Sequence, residues 1–282
     1  MTALINGVLT GDPNHLMSFE PNVQGQNSGF GPVSTYSDVY GQGSFGAISG
    51  MNINGAYTYA ATYGQTIVSY NPSSTSFGGI AGTNREATAP VILLEAEYEG
   101  GTFFVTGTLL NCRREAYWAM CGRAKGYIYG NATIWRFSSS WWPFSSGWQT
   151  ALSSPGVGDV QRWYNFFSAI PWQDLVPDQM HQIGIAGCGT PSVTGSIDTD
   201  SYIAVAANSG VTCLVAYFSQ GTSQTLTVDL SKFGSAITAK WFDPTDGSYS
   251  TIDTFSNSGT RNFAPTRNNF AGDPDWVLLL TA

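Results

Sequence analysis

Residues 90–100 read PVILLEAEYEG. Four aliphatic side chains in a row, Val91 to Leu94, run directly into Glu95, and Glu97 and Glu99 follow at alternate positions. A strand with one wet face alternates apolar and polar residues. An unbroken aliphatic run between Pro90 and Gly100 instead fits a strand covered on both faces, as in a parallel sheet flanked by helices. Parallel neighbours need long crossovers, so this run commits the chain to helices on either side of it. Only 19 of the 282 residues are Asp or Glu, so three within five positions is a concentration that composition does not explain. In α/β folds the groups that do chemistry sit where parallel strands end, at their C-terminal edge.

The pattern along the chain supports that reading up to about Asp178. Residues 15–19 (HLMSF) form a short predicted strand behind the turn GDPN, and residues 48–53 a weaker one interrupted by glycine. Residues 108–123 carry Leu109, Cys112, Ala116, Tyr117, Met120 and Cys121 at helical spacing. Residues 126–130 read as the next strand, and residues 160–170 as a second amphipathic helix stopped by Pro171. Strands alternating with helices imply βα units. Two Gly/Ser/Asn-rich stretches, 24–45 and 71–84, are long for plain connections. Beyond Asp178 the helical period disappears. Short strands are predicted at 202–207, 212–218, 225–230, 237–243, 249–252 and 276–280, separated by turns such as NSG and DPTDG. This is the pattern of an antiparallel β-sandwich with its own core, and the boundary falls near residues 177–185.

Composition narrows function by exclusion. Charged residues are 11% of the chain, net charge is −8, and no block of Lys or Arg exists. Nucleic-acid binding through phosphate contacts is disfavoured, as is attraction to anionic membranes. No segment is apolar enough to span a bilayer, and MTALINGVLTGD lacks the basic start of a signal peptide. A polar, weakly charged, aromatic-rich surface suits carbohydrate, whose rings stack on Trp and Tyr. Cys112, Cys121, Cys188 and Cys213 form no CxxC pair, and His15 and His181 are the only histidines, so neither a metal nor another cofactor is expected. Cys188 and Cys213 could meet in a sheet, though buried thiols are the commoner outcome.

Several stretches together resemble one family. Asp12-Pro13-Asn14-His15-Leu16-Met17-Ser18-Phe19, PVILLEAEYEG, Arg113-Arg114-Glu115-Ala116-Tyr117-Trp118, Tyr129-Gly130-Asn131 with Ile134-Trp135, and the segment PWQDLVPD at 171–178 are similar, in order and spacing, to motifs of the DUF4038 (apiosidase-like) glycoside hydrolases. The tail, with Trp241-Phe242-Asp243-Pro244 and Asp275-Trp276-Val277-Leu278, resembles the collagen-binding-like β-sandwich that follows such barrels. The resemblance implies a fold of α/β plus all-β type. Residues 1–180 would be strands 5–8, the C-terminal half of a (β/α)8 TIM barrel, and residues 181–282 the sandwich. Strands one to four, and the catalytic acid/base they carry, would lie outside this chain.

On that alignment Glu95 ends strand seven, at the position of the nucleophile of a retaining hydrolase. Glu97 and Tyr98 follow as substrate-binding candidates. Asn131 is placed to bond a sugar hydroxyl or to shape its turn. Trp135 fits a stacking surface or the core, and Trp141 and Trp142, set among serines, fit a stacking platform. Glu99 is expected to pair with Arg113 or Arg114 or to touch ligand, and those arginines read as structural anchors. Ala132 and Glu20 stand where the family often has histidine. The expected function is hydrolysis of O-glycosidic bonds in a polysaccharide. The alternative is a non-catalytic carbohydrate-binding or structural component of a virion or surface assembly. Expected partners are carbohydrate and the missing half-barrel, encoded upstream, as a separate chain, or replaced by a second copy. An extracellular or virion-associated setting is favoured over the cytoplasm.

Overall fold

The computed structural model describes residues 8, 10–11, 14, 16, 53–59, 62–63, 66, 90–102, 105–136, 147–191, 197 and 199–282. Its first sheet is built from β1 (Asn54–Tyr57), β2 (Val91–Glu95) and, after helix α1 (Leu109–Cys121), β3 (Ala124–Tyr127). β2 lies between the other two and is parallel to both. The β2–α1–β3 segment is therefore the crossover unit that the aliphatic run demands. Val91 and Leu93 are wholly buried and pack with Ala56, Ala119 and Ala124. Ile92 and Leu94, on the other face, are only half-buried, so the run is not covered equally on both sides. Of the strand predicted at 48–53, with its interrupting Gly50, only Ile53 is among the described residues, and it lies just before β1. The strand predicted at 126–130 starts two residues earlier and ends at Tyr127. Apart from Leu16, the strand predicted at 15–19 falls outside the described residues, as do both Gly/Ser/Asn-rich stretches.

Helix α1 begins where Thr108 Oγ1 accepts the Asn111 N–H at 3.2 Å, an N-cap that satisfies one of the free amides of the first turn. A surface helix keeps one polar face in water. Here every residue from Asn111 to Cys121 is buried, because α1 packs against the parallel sheet and against the larger of the two C-terminal sheets. The short helices α2 (Ala132–Arg136) and α3 (Trp148–Ala151) lead to α4 (Pro155–Ser168). α4 starts five residues before the predicted 160, since Pro155 sits comfortably in a first turn whose N–H groups are unpaired anyway.

The remaining strands are antiparallel. One sheet has the order β10 (Tyr249–Phe255), β9 (Ile237–Phe242), β12 (Trp276–Thr281), β7 (Cys213–Phe218), β6 (Ala204–Asn208), β4 (Leu175–Pro177). The other has the order β11 (Thr260–Phe263), β8 (Leu226–Asp229), β5 (Gly184–Ala186). All six predicted sandwich strands are present. β4, β5 and β11 were not legible: each is three or four residues long and stands at a sheet edge, where one ladder suffices and alternation is too short to read.

One large core cluster runs without interruption from Tyr117 and Trp118 of α1, through Phe166 and Phe167 of α4, to the inner residues of β6, β7, β9 and β12. Tyr117 stacks on Tyr217 with ring centroids 4.9 Å apart, and Phe166 meets Phe242 at 4.7 Å. The sandwich thus shares its core with the helices that precede it. The four cysteines are all buried, unpaired thiols, and burial pushes those of Cys121 and Cys188 up to about 12. No helix among the described residues is long and apolar enough to cross a membrane.

Candidate active site at the ends of the parallel strands

Glu95 is the last residue of the central strand. The pairing of β1 with β2 skips a position between Ala56 and Tyr57, which brings Tyr57 directly opposite Glu95. The Thr58 N–H donates to the Glu95 carbonyl at 3.1 Å and holds the two strand ends together. On this frame the Tyr57 hydroxyl donates to Glu95 Oε1 at 3.3 Å, and the Tyr59 hydroxyl donates to the same oxygen. The two hydroxyls are 2.8 Å apart, and their rings meet edge-on at 5.3 Å. Burial, and then the bond to Glu95, hold the Tyr59 phenol well above its ordinary pKa, so it remains a proton donor to the carboxylate. Neither tyrosine was singled out from the sequence. Two residues apart on an extended chain they share one side, but the strand predicted in this region ended at residue 53, short of both.

Glu97 does not join Glu95. Strand geometry ends at Glu95, alternation lapses, and Glu97 turns inward to become fully buried. Its N–H donates to Glu115 Oε1 at 2.8 Å, and the Cys112 thiol lies 3.7 Å from its carbonyl oxygen. Glu97 is therefore not placed to touch a ligand, contrary to the expectation from spacing.

Glu99 continues the parallel register beyond the strands. Its N–H donates to the Gly130 carbonyl at 3.0 Å, and its carbonyl accepts from the Ala132 N–H at 3.1 Å. Its Oε2 accepts hydrogen bonds from the Tyr129 hydroxyl, from the Ser154 hydroxyl at 2.6 Å and from Asn131 Nδ2 at 3.2 Å. The carboxylate also lies at the start of α4, where Gly156 leaves room that a Cβ would fill at 2.6 Å from Oε2. A helix N-terminus favours negative charge. Glu99 pairs with neither Arg113 nor Arg114. Burial, reinforced by the bond to Glu99, raises the Tyr129 phenol above its ordinary value.

Asn131 is spent on structure. Its Oδ1 accepts the N–H groups of Thr133 and Ile134 at 3.0 and 3.3 Å, capping α2, and its Nδ2 serves Glu99 and Ser154. Of the two roles open to it, turn shaping is the one that the geometry supports. Tyr98 and Trp135 do come together: their rings meet edge-on at 5.9 Å. Trp135 is 54% exposed, so it is a surface group and not core. Tyr98 packs over Gly130, where a Cβ would stand 2.2 Å from its ring. Trp141 and Trp142 lie outside the described residues. Among the described residues no group of three His, Cys, Asp or Glu side chains is arranged to hold a metal ion.

The Glu95 carboxylate thus ends a parallel strand with two phenols on one oxygen. The model of the apiosidase-like catalytic domain matches residues 1–174. The chain belongs to the apiosidase-like family. A second model, "Putative collagen-binding domain of a collagenase", matches residues 192–281. Among solved structures, a glycoside hydrolase family 5 protein from Bacteroides vulgatus ATCC 8482 superposes with a TM-score of 0.73 at 19% identity, covering 99% of this chain and 57% of that one. Another, described as a glycoside hydrolase, superposes with a TM-score of 0.68 at 20% identity, covering 99% of this chain and 60% of that one. At such identities the likeness is one of fold. This apiosidase-like chain spans less than two thirds of the length of either structure. No functionally curated protein matches it significantly.

Proposed function

We propose that the chain is part of a retaining glycoside hydrolase that cleaves O-glycosidic bonds of a polysaccharide, with Glu95 as nucleophile. The observation that carries this reading is the Glu95 carboxylate at the end of β2 with two tyrosine hydroxyls on one oxygen. The phenols hold Oε1, and attack on the anomeric carbon falls to Oε2. The bond from that carbon to the leaving oxygen breaks as a general acid protonates the oxygen. Water, deprotonated by the same residue, then displaces Glu95 from the glycosyl ester. The exposed Trp135 with Tyr98 offers a stacking surface for a neighbouring sugar ring.

The acid/base belongs to the half-barrel that residues 1–180 lack, supplied by an upstream segment, a separate chain or a second copy. Two observations support this. β1 and β3 are the outer strands of the described parallel sheet, and the solved hydrolases are far longer than this chain. In the assembled enzyme the acid/base carboxyl should stand about 5–5.5 Å from Glu95.

The test is Glu95→Gln in that assembly, assayed with a polysaccharide and an aryl glycoside. Turnover should fall at least about 10³-fold, because the covalent step is removed while the amide keeps the shape of the acid. Azide added to Glu95→Ala should restore glycosyl transfer with inverted product. Retention of a tenth of wild-type turnover would place the nucleophile elsewhere. The Tyr98–Trp135 pair supports a second reading, carbohydrate binding without turnover. That reading requires saturable polysaccharide binding by the wild-type assembly with no hydrolysis.

A further inference from the structure

The motif Arg113-Arg114-Glu115 lies in the middle of α1, and all three side chains are buried. Successive helical residues are about 100° apart, so Arg113 and Glu115 point to nearly opposite sides. Arg113 reaches the sandwich. Its Nε and Nη2 donate to the two oxygens of Asp275 at 2.8 and 2.9 Å, a bidentate pair. Nη2 also donates to Asp273 at 2.6 Å, and Nη1 to Asp159 of α4 at 2.9 Å. Asp275 is fully buried and is completed by the Tyr217 hydroxyl at 3.0 Å and Asn269 Nδ2 at 2.7 Å. Arg114 donates to the Ile197 and Ser219 carbonyls at 2.8 and 3.1 Å. Glu115 faces the other way and accepts the Glu97 N–H.

Glu97 is two residues past Glu95, where the ladder of β2 has ended. Its amide would need another partner, and Glu115 supplies it. A continuous set of bonds therefore runs from the loop before β12, through one buried helix, to the chain just beyond Glu95.

We propose that Arg113 and Glu115 are positioning residues, through which the C-terminal sandwich sets the conformation of residues 95–99. The sandwich is then a working part of the hydrolase site and not a detachable accessory. Its meaning for catalysis rests on the reading of Glu95 as nucleophile, but its test does not.

The test is amide hydrogen exchange of residues 95–99 in the full chain, read by mass spectrometry. Glu115→Leu removes the acceptor, and exchange there should rise at least about tenfold. Glu115→Gln keeps an acceptor oxygen and should restore protection to within about twofold of wild type. Arg113→Lys loses the bidentate pair and should also raise exchange at 95–99, although its own contacts are to the sandwich and α4. Protection of β10, which touches neither group, should stay unchanged in all three. Should Arg113→Lys fail to fold, Asp273→Asn replaces it: Asp273 is 36% exposed, and the variant should raise exchange at 95–99 by a smaller factor. The proposal is overturned if residues 269–276 loosen in Arg113→Lys or Asp273→Asn while 95–99 do not. It is equally overturned if Glu115→Gln exchanges like Glu115→Leu. Neither result bears on whether Glu95 is the nucleophile, which turnover alone decides.

Discussion

The Glu115 carboxyl has no exposure to water, and burial raises its pKa well above the ordinary 4.5. The Glu97 N–H opposes that rise, and the nearby Glu97 charge adds to it. A folded pKa above the unfolded one means that folding takes up a proton. The stability this contributes is fully present below about pH 4.5 and is lost as pH climbs through the folded value. Glu115→Gln removes the titration and keeps the acceptor. The difference in unfolding free energy, variant minus wild type, should therefore grow by up to about 1.4 kcal/mol per pH unit above pH 5, until the folded pKa is passed. Urea titrations at pH 5, 6, 7 and 8 measure it, and parallel wild-type and variant curves would refute the account.

At the level of elements, the rim of the parallel sheet depends on a glycine. Gly130 leads from β3 toward α2, and the Tyr98 ring occupies the space where its Cβ would be. Gly130→Ala should cost about 1–3 kcal/mol through overpacking and displace Tyr98 from Trp135. With Tyr98→Ala as background the clash is gone, and the same change should cost under about 0.5 kcal/mol. A double-mutant cycle by urea denaturation reads the coupling. Equal costs in both backgrounds would mean that Gly130 is needed for its own backbone and not for the ring. The elements were legible in proportion to their length and burial. β2, α1 and β7 have periodic, buried sequences and were found close to their observed bounds. β1 was missed because the Asn54-Gly55 pair at its start is a turn signal. β4 was missed because its three residues pair on one side only, with β6.

For the whole molecule, the boundary expected near residues 177–185 separates two patterns of sequence, whereas the core runs across it. β4, from residues 175–177, completes the six-stranded sheet. Arg162 of α4 donates to the Pro244 carbonyl at 3.2 Å, and Trp118 Nε1 to the Tyr202 carbonyl at 3.3 Å. A chain ending at residue 191 would expose Tyr117 and Trp118 and leave Arg113 without Asp273 and Asp275. Removing the partners of a buried charge costs about 3–5 kcal/mol, a large part of a typical domain's stability. Residues 1–191 alone should therefore give no cooperative melt by near-UV circular dichroism, whereas the full chain should melt in one transition. A cooperative melt of the fragment would show that the shared core is dispensable.

The sequence alone determined what depends on near neighbours. The aliphatic run before Glu95 required a parallel strand ending in a carboxylate, the helical spacing at 108–123 required its crossover, and the turn chemistry after Asp178 required antiparallel strands. Periodicity encodes those features because it reflects which face of an element is buried. The partner of each polar group was decided only by tertiary structure. Glu95 meets Tyr59 across 36 positions, Glu99 meets Ser154 across 55, and Arg113 meets Asp275 across 162. Spacing placed Glu97 beside Glu95, and the fold turned it inward, since the strand ends between them and Glu115 supplies the hydrogen bond that its amide had lost. Local pattern says where a chain must be covered. Which surface covers it, and which buried charges therefore find one another, follows from packing among elements far apart in the chain.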